Sequence, residues 1–177
     1  MVWPANIREQ ARLLNVSIEV AVNAAEVNPA YQRIFRNVNQ NTRFDEIERA
    51  NDRAFLYAFH LSQGDPEQVF NRFQIEKVPG TYLPACRARI GDDWSQILYV
   101  GSSATRICSR LRQHVRRTPR RTYALKLAGW FEGNHNWQAD VYVRGYDGIN
   151  REALQILEDA TADALGPLFG KRGSNGR

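Results

Sequence analysis

With only two cysteines, Cys86 and Cys108, the 177-residue chain cannot carry a disulfide scaffold, and their spacing is not that of a metal-binding pair. Both are expected as reduced, partly buried thiols. No run of about 18 apolar residues occurs, so no segment is expected to span a membrane. Arg8, Glu9 and Arg12 interrupt any apolar run near the start, so a secretory signal is not expected there and a cytoplasmic protein is the default expectation. Internal repeats, low-complexity tracts and zinc-binding clusters are all missing. Acids are missing from one long stretch: between Ser103 and Lys126 there are eight basic residues and no Asp or Glu.

What is present argues for a packed protein. Hydrophobic residues make up 43% of the chain, with four Trp, eight Phe and seven Tyr. That supplies a core and excludes a disordered chain. The net charge is +5. Residues 1–75 are close to neutral, so the excess belongs to the C-terminal part, where a basic surface favours a polyanionic partner.

Residues 5–27 read as an amphipathic helix, with Ile7, Ala11, Leu14, Ile18, Val22 and Ala25 at steps of three or four. Tyr31, Ile34, Phe35 and Val38 suggest a second short helix, and Phe44, Ile47, Ala54, Phe55, Ala58 and Phe59 a third over 44–62. Asp65-Pro66 starts another, with Asp65 as N-cap and Pro66 at the first helical position. Residues 1–75 are therefore expected to be all-helical. Thr81–Ile90 and Ser95–Val100 read as the strands of a hairpin around Gly91-Asp92-Asp93. Ala104–Arg116 reads as a helix, Thr122–Leu127 as a shorter one, and Trp137–Arg144 as an alternating strand. Asn150 caps a last helix that ends at Gly166-Pro167. The expected fold is α+β: a small three-stranded antiparallel sheet flanked by helices over 76–177, preceded by the helical region 1–75.

The basic residues Arg106, Arg110, Arg112, Arg116, Arg117, Arg120, Arg121 and Lys126 suit a phosphate-binding surface, because neutralising phosphates releases condensed counterions. Arg110 and His114 stand four apart and share a helix face, where an Arg can hold a phosphoryl oxygen and a His can hydrogen-bond it or shuttle a proton. Glu158 sits mid-helix beside Leu154, Leu157 and Ala162 with no basic residue one turn on, which suits a divalent cation. Each has a plainer reading alone: a capping histidine, a surface acid, and strand tyrosines (Tyr82, Tyr99) that merely fill a core.

Taken together these residues resemble the GIY-YIG nuclease family over residues 79–177. Gly80-Thr81-Tyr82 is similar to the family's first tripeptide. Tyr99-Val100-Gly101, followed by Ser102-Ser103, is similar to the second. Arg110-Leu111-Arg112-Gln113-His114 matches its R-L-x-x-H helix, and Glu158 falls where the family places a metal-binding glutamate. Gly166 to Gly170, with Asn175 beyond, resembles its closing segment. The resemblance implies hydrolysis of DNA phosphodiester bonds with one Mg²⁺ or Mn²⁺ on Glu158. Tyr82 or Tyr99 would orient or deprotonate the attacking water. Arg110, with His114 assisting, would stabilise the phosphorane-like state, leaving 5′-phosphate products. Ser102, Ser103, the basic residues and Asn175 would hold DNA. Two other outcomes fit the same resemblance: a non-cutting DNA-binding member of the fold, and a structure-specific repair or recombination nuclease acting in a complex. Residues 1–75 would pack on the catalytic domain, mediate a homodimer, or read bases through Arg33, Arg36, Asn37, Asn39 and Arg43.

Overall fold

A computed structural model describes residues 16–24, 30–48, 53–87, 93–117, 121–133 and 136–170. Residues 16–24 are helical (α1). Then come β1 (Tyr31–Phe35), α2 (Asp45–Glu48), β2 (Ala54–Gln63), α3 (Pro66–Glu76), β3 (Ile97–Ser103), α4 (Ile107–Val115), a 3-10 turn (Leu127–Gly129), β4 (Gln138–Tyr146) and α5 (Arg151–Leu165). The fold is α+β, built on a four-stranded antiparallel sheet of order β1-β4-β2-β3. Among the described residues, no helix is long and apolar enough to cross a membrane.

The expected three-stranded sheet and all-helical N-terminal region are corrected by two strands. β2 takes the place of most of the helix expected over 44–62, of which, among the described residues, only α2 is helical. It lies between β3 and β4 and is buried on both faces, from Ala54 to Tyr57 without a break. A strand buried on both faces loses its polar alternation and becomes a continuous apolar run, which periodicity alone cannot separate from a buried helix. β1 replaces the short helix that Tyr31, Ile34 and Phe35 suggested, because three apolar residues in five satisfy either period. The sheet thus takes strands from both sides of residue 75.

The expected hairpin partner over 81–90 is not a strand. Pro84 has no N–H to give a ladder, and in the described part, up to Arg87, Cys86 makes only an isolated bridge to Phe169. Residues 88–92, with Gly91 and Asp92 of the expected turn, lie outside the described residues. Residues 122–126 are irregular rather than helical. The parts of the first expected helix before residue 16 and after residue 24 also lie outside the described residues.

Capping chemistry held. The Asp65 carboxylate accepts from the Glu67 amide at 2.9 Å, with Pro66 opening α3. The Asn150 side chain accepts from the Ala153 amide at 2.7 Å, and Gly166 ends α5 in the left-handed region at φ 55.

One sheet face carries the main core. Phe55, Tyr57, Phe59 and Leu61 of β2, with Ala139, Val141 and Val143 of β4, meet Phe73 of α3 and Leu111 and Val115 of α4. On the other face Leu56, Val100 and Tyr146 meet Leu157 and Ala162 of α5. The segment after α5 returns along the outer edge of β3, where Leu168 and Phe169 amides donate to Ile97 and Leu98 carbonyls at 2.8 and 3.0 Å. This covers part of a sheet edge that would otherwise expose unpaired backbone. The Phe169 ring is fully buried and stacks on Phe73 with centroids 3.9 Å apart. Phe169→Ala should therefore destabilise the fold by about 3–5 kcal/mol, read as a lower midpoint in a denaturant titration followed by tryptophan fluorescence. A shift under about 1 kcal/mol would mean that the segment is not anchored by this ring.

Candidate active site

Arg110 and Tyr99 meet at β3, an edge strand with α4 packed on one side and α5 on the other. In the β2–β3 ladder Tyr57 stands opposite Gly101. A Cβ on Gly101 would lie 2.6 Å from the Tyr57 hydroxyl and 2.7 Å from the Tyr99 ring. The glycine of Tyr99-Val100-Gly101 is thus required by space. Its missing side chain lets the Tyr57 phenol lie across β3, its ring 6.3 Å from that of Tyr99 and tilted 22° to it.

α4 brings Arg110 and His114 to the same phenol. Arg110 Nε donates to the Tyr57 hydroxyl at 3.2 Å, and its two terminal nitrogens reach the Tyr99 hydroxyl at 3.5 Å and Gln113 Oε1 at 3.2 Å. His114 is fully buried. The Leu125 amide donates to its Nδ1 at 3.2 Å, so the neutral ring carries its proton on Nε2, which donates to the Tyr57 hydroxyl at 3.1 Å. Burial, reinforced by the Arg110 charge, holds His114 well below the ordinary histidine range, hence neutral at physiological pH. Both ring nitrogens are occupied, which makes His114 a positioning residue.

Glu158 approaches from α5, where its carboxylate accepts from the Ser102 hydroxyl of β3. Burial raises its pKa, opposed by the Ser102 hydrogen bond and by Arg110. Arg110 and Glu158 also act on Tyr57 and Tyr99, whose phenols burial keeps raised and therefore neutral. Burial works against the Arg110 charge, and the two phenol oxygens more than restore it, so its pKa is raised. Tyr99, Ser102, Arg110 and Glu158 are partly exposed, whereas Tyr57 and His114 stand behind them.

Four of the five residues expected to be catalytic, Tyr99, Arg110, His114 and Glu158, are thus brought together. Tyr82 is not. It lies in the loop after α3, its ring against Tyr123. Tyr57 occupies the place beside Tyr99 that was expected of Tyr82. The sequence offered little sign of this, because Tyr57 sits in an unbroken apolar run with no glycine before it.

The basic surface is divided. Arg112 pairs with Asp45 at 2.7 Å, Arg116 Nε donates to the Gln40 carbonyl at 3.2 Å, and Lys126 donates to the Thr81 carbonyl at 2.7 Å. Arg106, Arg117 and Arg121 are exposed and have no side-chain partner among the described residues. The Ser103 hydroxyl accepts from the Arg106 amide at 3.2 Å. Arg120 and Asn175 lie outside the described residues. Arg33 and Arg36, considered for base reading, pair with Glu46 and Asp140, each at 2.5 Å. Comparisons with protein-family models, curated proteins and solved structures find no match to this chain, so a functional reading rests on this geometry.

Two outcomes follow from the packing. Gly101→Ala drives a methyl into the Tyr57 hydroxyl and should cost about 1–3 kcal/mol, measured by chemical denaturation, whereas Gly129→Ala, where a Cβ meets nothing within 4 Å, should change stability much less. The second concerns Glu158. Its folded pKa lies above the ordinary 4.5, so the fold favours the protonated form. That contribution is fully present below 4.5 and is lost as pH rises through the raised value. Glu158→Gln should therefore melt above wild type at about pH 7.5, with the gap closing toward about pH 4. Equal melting temperatures across that range would contradict a carboxylate held at a cost.

Proposed function

We propose that this chain is a metal-dependent DNA endonuclease of the GIY-YIG type, with Tyr57 rather than Tyr82 as the first tyrosine. The observation that carries this is the convergence of Tyr99, Arg110 and Glu158 on one edge strand, with Arg110 fixed by Tyr57 and His114 fixed behind it. A guanidinium beside a half-buried carboxylate is a pairing suited to a phosphodiester, whose negative charge grows in the transition state.

Among the described residues no group of three or more His, Cys, Asp or Glu could hold a metal ion. A lone Glu158 still fits Mg²⁺ or Mn²⁺, because Mg²⁺ commonly takes one or two carboxylates and completes its shell with water and substrate phosphate oxygens. An ion held by Glu158 would supply Lewis acidity and would offset charge on the leaving 3′ oxygen. The chain's own groups do the remainder. Arg110 opposes charge on the phosphorane-like state, and its orientation is set by Tyr57, Tyr99 and Gln113. Tyr99, partly exposed and neutral, orients the attacking water by hydrogen bonding instead of taking its proton. Ser102 orients the Glu158 carboxylate. Arg106, Arg117 and Arg121 engage flanking phosphates, and their effect should weaken with salt. Water attacks phosphorus and gives up a proton to solvent, the bond to the 3′ oxygen breaks, that oxygen takes a proton from solvent, and the 5′ phosphate stays on the downstream strand.

The test is cleavage of supercoiled plasmid with Mg²⁺ or Mn²⁺. Wild type should give nicked or linear products that EDTA abolishes, and Glu158→Gln should lower the rate by about 100-fold or more. Tyr57→Phe should lower it about tenfold by releasing Arg110, while Tyr82→Phe, which keeps the ring against Tyr123 and removes only a hydroxyl, stays within about twofold. Wild type that binds the plasmid yet never cuts it with either metal would sink the enzyme reading in favour of a DNA-binding module. Full activity in Glu158→Gln would remove the metal assignment.

A further inference from the structure

The two most strained side-chain-bearing positions near the site meet each other. Among the described residues only Asn37, Tyr82 and Lys126 have positive φ without being glycine, at 45, 50 and 53. Asn tolerates that region; a bulky aromatic there costs about 1–3 kcal/mol and persists only when its surroundings hold it. Here the holding groups are plain. Lys126 Nζ donates to the Thr81 carbonyl at 2.7 Å, and the Ala124 amide donates to the Tyr82 carbonyl at 3.4 Å. These bonds zip the two loops together and set the Tyr82 ring edge-on to Tyr123, with centroids 5.9 Å apart and planes at 68°. Lys126 Nζ lies 5.8 Å from the Tyr82 ring centroid.

This arrangement leaves Tyr123 62% exposed, whereas every other aromatic ring among the described residues is buried or partly buried. The patch is not remote. The next residue but one, Leu125, is the one whose amide fixes His114, and Leu125 is itself fully buried. Exposed Arg121 stands two residues before Tyr123, and the whole stretch from Ser103 to Lys126 has no acid. An exposed aromatic ring, a second ring bracing it, and an exposed arginine and a lysine within three residues of it in the chain suit the uptake of a nucleobase and its phosphate. Base–aromatic stacking needs no particular base, and the charge selects a polyanion.

Resting on the nuclease reading above, we propose that Tyr82, Tyr123, Lys126 and Arg121 form a stacking platform for an unpaired nucleotide, so that the favoured substrate is DNA with a single-stranded segment beside the cleaved bond. Tyr123 offers its face to the base, Tyr82 braces Tyr123 through the strained turn, and Arg121 and the remaining Lys126 N–H groups hold the adjoining phosphate.

The experiment is fluorescence anisotropy of the full chain in EDTA, using a labelled oligothymidine and a blunt duplex of the same length. Tyr123→Ala should weaken binding to the single strand about tenfold and to the duplex less than about twofold. Tyr123→Phe, which keeps the ring, should bind both as wild type does. Because Tyr123 is exposed, these variants are not expected to unfold, and an unchanged melting temperature checks that. Equal losses on single strand and duplex, or a Phe variant as weak as the Ala variant, would overturn the platform. The plasmid assay separates the two readings. Wild type that cuts plasmid, with Tyr123→Ala showing no selective loss on single strands, removes the platform alone. Selective loss in a protein that never cuts leaves the platform and removes the nuclease. Wild type that binds neither DNA removes both.

Discussion

The Tyr57 hydroxyl is the point on which the candidate site depends. It lies above a glycine that has no room for a side chain, and it receives N–H bonds from both His114 and Arg110. The His114 bond is possible because Nδ1 is already taken by the Leu125 amide, which leaves the proton on Nε2. The β2–β3 register, the α4 face and the 121–125 loop are thereby tied to one oxygen. A slip of one residue in the ladder would turn Tyr57 to the opposite sheet face and leave Arg110 without its anchor.

That arrangement is costly where it works. Glu158 and Arg110 are both drawn partly out of water, and the Glu158 carboxylate is disfavoured for it. Under the proposed function neither charge could be neutralised without losing the cation site or the group that opposes a phosphoryl charge. Stability must come from elsewhere, and the aromatic cluster on the same sheet face supplies it. Phe169 stacks on Phe73, and Trp130 packs edge-on to both. The segment carrying Phe169 also hydrogen-bonds along β3, so the contacts that stabilise the fold also hold the strand that bears Tyr99 and Ser102.

How much of this was legible in the sequence depended on how local each signal is. The caps of α3 and α5, the α4 face with Arg110 and His114, and the position of Glu158 are set by residues within a few places of one another, and they were readable. β2 was not, because an interior strand shares its neighbours with two others and loses the alternation that marks a strand. Tyr57 was hidden with it. Its partner Gly101 is 44 positions away in the chain, and pairing over that distance is a property of the sheet that no local pattern encodes. Pro84 was a local signal against the strand expected over 81–90, since its ring removes a ladder donor.

Two glycines next to tyrosines illustrate why one tripeptide could pass for the other. Gly101 has an ordinary backbone and no space for a Cβ; Gly80 has open space around it and φ +89. The first glycine is demanded by packing, the second by a turn. A glycine demanded by packing has a side chain lying across it, as Tyr57 lies across Gly101, and so marks a place where two strands and their functional groups are pressed together. A glycine demanded by a turn reverses the chain and sends its neighbour outward, as Gly80 does with Tyr82. The same residue types therefore lead into the buried site in one case and to a separate loop in the other, and only the long-range partner decides which.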